Sequence, residues 1–504
     1  MNYLIGVDLG TQGTKTTLLD ENCNVVKEAF EASRLIYPEA GAVEQDPEEM
    51  LGSVLRTIRA VVETSGIDPG RVAAIGLDGQ MAGVVGIDAD GMDVTPYDSW
   101  LDTRCGKYRQ PFLNFGEEKV ISITGTPVTY AHGPKILWWK GEHPDIYKQI
   151  HSFVQPAVYC VMRMCGMTGD EAYIDYTYIH FAGFADTAAK EWSRELLDAL
   201  DVDPAKMPRI LRPFDVVGGL TKEMAAQCGL REGTPMVAGC GDTAATSFGA
   251  GITKSGLIFD IAGTASVLAF ATKHYTPDTT HKTLLFANSV VEGLYTPMAY
   301  INGGGMCLKW LRDDILDKTY SYDELNEMAE QVPAGSENLL FLPHFSGRVC
   351  PNDTLTRGSY INLGWQHGKA HMYRAIMEGI AYEYGIYTDI ILGLSKDLEL
   401  SRIISVGGGS ASAVFGQIKA DVLGVPVSTI NLADTATLAC GVIAGYGVGL
   451  YDDMAAQIEK LSTIRSTIVP NPDLYDAYKK RQAIYASVFA ELHEIYYQLS
   501  MIGR

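Results

Sequence analysis

The chain has 504 residues, more than one hydrophobic core usually serves, which predicts two domains of broadly similar size. Hydrophobic residues make up 47% and charged residues 20%, with 52 Gly and 21 Pro, which excludes a disordered, collagenous or coiled-coil protein. Forty Lys and Arg against 61 Asp and Glu give a formal charge of −21, a field that repels nucleic acid and anionic membranes.

The N-terminus, MNYLIGVDLG, has no basic leader and runs directly into a strand-like segment, so no signal peptide is expected. No apolar stretch approaches the roughly 18–20 residues of a membrane span. The nine cysteines are scattered without a C-x-x-C pair, which favours reduced thiols in a cytoplasmic chain over a disulfide framework or zinc site.

The first predicted element is a hairpin, Leu4 to Asp8 and Thr16 to Leu19, around Gly10-Thr11-Gln12-Gly13-Thr14-Lys15. A helical pattern over Pro47 to Val62 and a strand over Val72 to Leu77 follow. Met236 to Gly239 reads as another strand. About 252 residues after the first hairpin the pattern returns: Leu257 to Asp260, Gly263-Thr264, then Val267 to Phe270. Both copies place an acid before a Gly-Thr turn, with a one-residue offset. Beyond it come a strand ending at Leu342, a long apolar helix over Ala370 to Leu394, and a strand over Ile403 to Val406. Gly407-Gly408-Gly409 then opens a helix to Leu423 that Gly424 closes. Alternating strands and helices predict sheets covered by helices, divided near residue 246 into domains 1–246 and 247–504.

Gly- and Thr-rich turns let backbone N–H groups approach phosphate oxygens that a Cβ would obstruct. Asp8 beside such a turn suits a hydrated Mg²⁺, and Lys15 adds positive charge at its end. Two such turns suit an ATP that takes one phosphate loop from each domain. The Gly407 to Ser410 loop lets a flat group such as adenine and its ribose lie against the backbone at a helix start.

Together these residues resemble the FGGY carbohydrate kinases, members of the actin, Hsp70 and hexokinase-like ATPase superfamily. The resemblance covers nearly the whole chain and is closest to the xylulokinase branch. It rests on IGVDLGTQGTK, Gly79-Gln80-Met81, Trp100-Leu101-Asp102-Thr103-Arg104, Gly239-Cys240-Gly241-Asp242-Thr243-Ala244, Ala262-Gly263-Thr264, Phe341 to Gly347 and the Gly407 to Ser410 loop. His132 and Asn362 depart from the family pattern. The resemblance implies an α/β fold of two actin-like (ribonuclease H-like) domains with catalysis in the cleft between them. It makes the first domain the sugar side and the second the nucleotide side.

It also implies ATP and Mg²⁺ as cofactors, a small sugar or polyol as the partner molecule, and a homodimer as an expectation taken from relatives. Asp242 becomes the base that accepts a proton from the sugar hydroxyl, although a helix N-cap would place an Asp there as well. Gln80, Met81, Ala82, Trp100, Asp102 and Asp242 are implied on the sugar. The nucleotide side takes Gly10, Thr11, Gln12, Lys15, Gly263, Thr264, Gly305, Lys309, Gly408, Gly409, Ser410 and Ala413, with Asp8 and Asp242 toward the metal. The small-residue face of Ala436, Cys440 and Ala444 suits a hinge or a plain close-packed helix pair. Xylulokinases carry histidine where this chain has Ala82, so the substrate stays open. A ketopentose such as xylulose leads; ribulose, glycerol, another ketose or polyol and a sugar acid of the gluconate type are the alternatives. A non-catalytic ATP-binding switch of the same superfamily would explain the phosphate turns but not the sugar-side motifs.

Overall fold

The computed structural model describes residues 2–432 and 434–502. It forms two compact units: Met1–Thr253 with Phe286–Leu294 and Leu432–Ser462, and Lys254–Leu285 with Tyr295–Asn431 and Thr463–Arg504. The sequence suggests a single cut near residue 246, whereas the chain returns twice to the first unit. The reason lies in the sheet of that unit, which needs a helix on its second face.

In the first unit the sheet is built from β1 (Tyr3–Leu9), β2 (Gly13–Asp20), β3 (Val25–Ala32), β4 (Val72–Gly79), β5 (Val216–Gly219) and β6 (Pro235–Val237). Their spatial order is β5-β6-β4-β1-β2-β3. Strands β1, β2 and β3 are antiparallel, β4 runs parallel to β1, and β6 runs parallel to β4. Alternation along β1 sends Ile5, Val7 and Leu9 into a core shared with Met50, Val54 and Ile58 of the Pro47–Ser65 helix. That helix starts on Asp46, whose carboxylate accepts from Glu48 N–H at 2.9 Å, and stops at Gly66 in the left-handed conformation.

The other face of β1 carries Leu4, which packs with the Ala436–Gly447 helix. A Cβ on Gly6 would stand 1.8 Å from Thr437 O, and one on Gly76 would stand 2.3 Å from Cys440 O. The helix therefore lies directly on the backbones of β1 and β4. Its small-residue face fits this helix-on-sheet approach, and the Asp242–Gly249 helix packs against it as well. Contacts with the sheet, rather than sequence order, assign it to the first unit.

The second unit repeats the plan with β7 (Leu257–Ala262), β8 (Ser266–Phe270), β9 (Tyr295–Ile301), β10 (Arg402–Val406), β11 (Val427–Ile430) and β12 (Ile464–Ile468). The spatial order of these six strands, β9-β8-β7-β10-β11-β12, matches β3-β2-β1-β4-β6-β5. In both sheets the three-stranded meander is antiparallel, the next two strands are parallel, and the final edge strand is antiparallel. The short hairpin repeat thus marks a duplicated α/β architecture. The Lys369–Leu394 helix packs against the Ala413–Leu423 and Pro472–Met501 helices. Among the described residues no helix is long and apolar enough to cross a membrane, and all nine cysteines are unpaired.

Candidate active site

In the first unit three strand ends bring acids together. Asp8 of β1 lies opposite Asp78 of β4 in the parallel ladder, and Cys240 lies opposite Asp78 on its other side. Asp8, like Gly6, points to the face covered by the Ala436–Gly447 helix. Asp78 is fully buried, and Cys440 of that helix donates its thiol to Asp78 Oδ2 at 3.0 Å. Asp78 Oδ1 has no donor. Burial, then the charge of Asp8, pushes the Asp78 carboxyl well above its usual range. Burial raises the Asp8 carboxyl to about 6. Lys15 lies opposite Asp8 on β2, and its ammonium is held by Glu28 at 2.8 Å and Asp434 at 2.7 Å.

Asp242 follows two residues after Cys240. Gly241, not Asp242, is the N-cap of the Asp242–Gly249 helix, so the acid occupies the first helical position. Its Oδ1 accepts from Thr243 N–H at 2.5 Å and from the Thr243 hydroxyl at 3.1 Å, which fixes the rotamer and leaves Oδ2 for other work. Burial, then Asp8, raises this carboxyl to about 7. Met81 lies against the same turn: a Cβ on Gly241 would stand 2.7 Å from its Cε and Sδ. Beneath it, Tyr178 donates to Gly79 O at 2.9 Å and to Cys240 O at 3.1 Å, tying the two strand ends together.

Trp100 is 45% exposed, and its indole N–H donates to Thr11 Oγ1 at 2.9 Å. Thr11 passes its own proton to Gln80 Oε1 at 3.0 Å, and Gln80 donates onward to Gln45 at 2.8 Å. Gln80 is fully buried and its amide is engaged at both ends, so its part is to position Thr11 and Trp100. Gln12 sits exposed at the hairpin tip, where its carbonyl accepts from Ser33 N–H. Ala82 holds φ at +62°, a left-handed conformation uncommon for a residue with a Cβ.

Asp102 is almost fully buried. Its carboxylate accepts from Val43 N–H, Arg104 N–H and the Arg104 guanidinium. Arg104 Nη2 also meets Glu44 at 2.6 Å and Asp98 at 3.1 Å. These three acids are close enough together to hold a metal, but the Arg104 guanidinium already pairs with all three. Asp102 and Arg104 therefore hold the loop that presents Trp100.

The second hairpin behaves differently at its acid. Four residues separate the last paired residues Leu9 and Thr14, whereas three separate Ala262 and Ser266. Gly10 N–H reaches Gly13 O at 3.0 Å; Gly263 N–H reaches Ala265 O at 3.1 Å. Asp260 stands three residues before its Gly-Thr turn and Asp8 two residues before its own, and a shift of one reverses the face of a strand. Asp260 accordingly points into the unit, fully buried, with Lys419 paired to it and Tyr384 and Ser405 hydroxyls donating at 2.8 and 2.5 Å. It is a structural acid.

The Gly-Thr turn itself borders a cavity of about 530 Å³ within the second unit. Gly263, Thr264, Gly305, Lys309, Gly408 and Gly409, which the resemblance assigns to the nucleotide side, line it. A Cβ on Gly305 would stand 2.0 Å from Gly263 O, so the Gly304–Trp310 helix abuts the turn. A Cβ on Gly408 would meet nothing within 4 Å. Ser410 turns its hydroxyl back to Gly407 O at 2.7 Å, and Ala413 begins the next helix; neither lines the cavity. The apolar walls, Tyr322, Tyr373, Met377 and Phe415, come from three helices. Sequence reasoning missed these, together with Asp78. The one available signal was Asp78, a carboxylate inside an otherwise apolar strand.

The N-terminal domain model of the FGGY family of carbohydrate kinases matches residues 3–249, and the C-terminal domain model of that family matches residues 260–445. The chain is 27% identical over 503 residues to a xylulose kinase of Bacillus subtilis (strain 168), covering 98% of each chain. It is also 27% identical over 514 residues to a gluconokinase of that organism, covering 99% of this chain and 98% of the other. The structure of a ligand-bound xylulose kinase from Lactobacillus acidophilus superposes with a TM-score of 0.91 at 26% identity, covering 99% of this chain and 100% of that one. Two duplicated α/β sheets, a carboxylate set at the strand ends of one, a glycine-lined cavity on the other and full-length domain matches lead to one conclusion: the chain belongs to the FGGY family of carbohydrate kinases.

Proposed function

We propose that this carbohydrate kinase is cytoplasmic and transfers the γ-phosphoryl group of ATP to a hydroxyl of a ketopentose of the xylulose type. The observation that carries the reading is Asp242: one oxygen is pinned by Thr243, the other is uncommitted, and Met81 lies beside it. Asp242 Oδ2 accepts the proton of the sugar hydroxyl while the new P–O bond forms, since a carboxylate does not deprotonate an alcohol beforehand. The exposed face of Trp100 covers the carbon side of the sugar. The cavity of the second unit takes the nucleotide; Gly408 fits this role because the space a Cβ would enter there is open. Asp8 and Asp242 fit a Mg²⁺ ion, because the Asp8 charge raises the Asp242 carboxyl and a cation relieves that repulsion. When bound, Mg²⁺ supplies neutralisation of phosphate charge.

A second reading, a sugar acid of the gluconate type, is favoured by Ala82 and by the equal identity to a gluconokinase. ADP release is to be measured over D-xylulose, D-ribulose, other ketoses, glycerol and D-gluconate. The highest kcat/KM with a ketopentose is expected. A preference for D-gluconate would replace the substrate, and no release with any member would overturn the kinase reading of these residues.

A further inference from the structure

The cavity of the second unit contains one amide, Asn326, on the Tyr322–Glu330 helix. Its oxygen is already used. Ser412 Oγ lies 3.0 Å from Asn326 Oδ1, and Tyr373 Oη lies 3.4 Å from the same atom. Ser412 Oγ donates its proton to Asn326 Oδ1 and, as the N-cap of the next helix, accepts the Phe415 N–H at 3.3 Å. Tyr373 is buried and directs its hydroxyl to the same oxygen. With both hydroxyls donating to it, Oδ1 is engaged. Nδ2, with two protons, is then the end left for a ligand, among the aromatic walls Tyr322, Tyr373 and Phe415.

Resting on the reading of this cavity as the nucleotide site, we propose that Asn326 is the base-reading residue and reads as a hydrogen-bond donor. It selects a nucleoside triphosphate whose base presents a ring-nitrogen acceptor, as a purine does. The glycine turns hold the phosphates without regard to the base, so discrimination falls to this amide. Ser412 and Tyr373 are positioning residues: they touch the amide oxygen and keep Nδ2 forward.

The test is an atom-by-residue cycle with ADP and its 1-deaza, 3-deaza and 7-deaza analogues, measured by calorimetric titration on the wild type and on Asn326→Ala and Asn326→Asp. One analogue should bind the wild type roughly three- to tenfold more weakly than ADP, the range of one neutral hydrogen bond. The same analogue should equal ADP on Asn326→Ala. Asn326→Asp, an acceptor where a donor stood, should weaken ADP more than Asn326→Ala does. The wild-type analogue series keeps the test open if a variant fails to fold. Equal binding of all four ligands to the wild type, or an analogue loss that persists in Asn326→Ala, would overturn this inference alone. Absence of ADP binding to the wild type would overturn it together with the nucleotide reading of the cavity.

Discussion

The indole N–H of Trp100 donates to the hydroxyl of Thr11, 89 residues earlier in the chain, and Thr11 in turn donates to the buried Gln80. A residue of the first Gly-Thr turn and the exposed aromatic of the proposed sugar loop thus share one hydrogen-bond chain. Thr11→Val removes both bonds and strands Gln80 Oε1 without a donor, a loss of about 1–3 kcal/mol. Thermal unfolding should show a Tm several degrees lower. Trp100→Phe leaves the Thr11–Gln80 bond intact, so its Tm should change little while the KM for sugar rises about tenfold. A larger Tm loss for Trp100→Phe than for Thr11→Val would contradict this role of the hydrogen-bond chain.

Asp242→Asn keeps the size of the side chain and removes the proton acceptor. Losing general-base help typically costs roughly 10² to 10⁴ in rate. The loss should appear in kcat, with sugar affinity by titration close to wild type. A kcat within a few-fold of wild type would remove Asp242 from the mechanism.

Ala82→His tests the specificity of the proposed sugar loop. Histidine is one of the residues enriched at positive φ, so the backbone at +62° tolerates it. The imidazole adds a donor and an acceptor where alanine offers a methyl group. Steady-state kinetics should show kcat/KM for D-xylulose rising relative to other ketoses and polyols. An unchanged ratio, with wild type already favouring D-xylulose, would show that Ala82 is not a specificity position.

Gly305→Ala should abolish nucleotide binding selectively. Its Cβ would stand 2.0 Å from the backbone oxygen of Gly263, which displaces the Gly-Thr turn. Gly408→Ala, whose Cβ meets nothing, should fold like the wild type. Titration with ADP should give at least a tenfold loss for Gly305→Ala while sugar affinity is retained. Equal ADP affinity in Gly305→Ala and wild type would separate this turn from the nucleotide.

A buried ion network sets the acid limb of stability in the second unit. Glu383 is fully buried, accepts from Arg348 Nη2 and Tyr485 Oη at 3.0 Å each, and lies 3.0 Å from His344 Nε2. Burial opposes its charge, but Arg348 and then His344 outweigh it and hold the carboxyl down at about 2. A depressed carboxylate contributes stability that is present above its unfolded pKa of roughly 4.3 and lost as pH falls toward 2. Glu383→Gln leaves Arg348 buried without its charge partner and should cost roughly 3–5 kcal/mol at neutral pH. Urea unfolding between pH 7 and 3 should show a shallower acid slope in the variant. Identical slopes would mean that Glu383 contributes nothing to acid unfolding.

Much of the site was legible in local sequence. Glycine and threonine at turns, a helix after Asp242 and glycines before the Ala413–Leu423 helix are short-range patterns, and they reported the turns, the helix that begins at Asp242 and the cavity floor. The cavity walls were not legible. Tyr322, Tyr373 and Phe415 read as ordinary apolar helix positions, and only packing turns them toward one space. Gln80 and Asp102 carried the right chemistry for a sugar, and long-range partners (Thr11 and Gln45 for one, Val43 and Arg104 for the other) had already claimed it.

Local sequence determined the strands, the capped helices and the two Gly-Thr turns, because φ freedom, capping and period-two burial act over a few residues. Tertiary structure alone decided which acid serves which purpose. Asp8 and Asp260 look alike in sequence, yet Asp260 stands one residue further from its Gly-Thr turn, which puts it on the opposite face of its strand. Asp260 is thereby given to Lys419 in the interior, and Asp8 is left at the strand ends beside Asp78. Tertiary structure also sent the Ala436–Gly447 helix back to the first sheet, since only Gly6 and Gly76 leave room for its backbone.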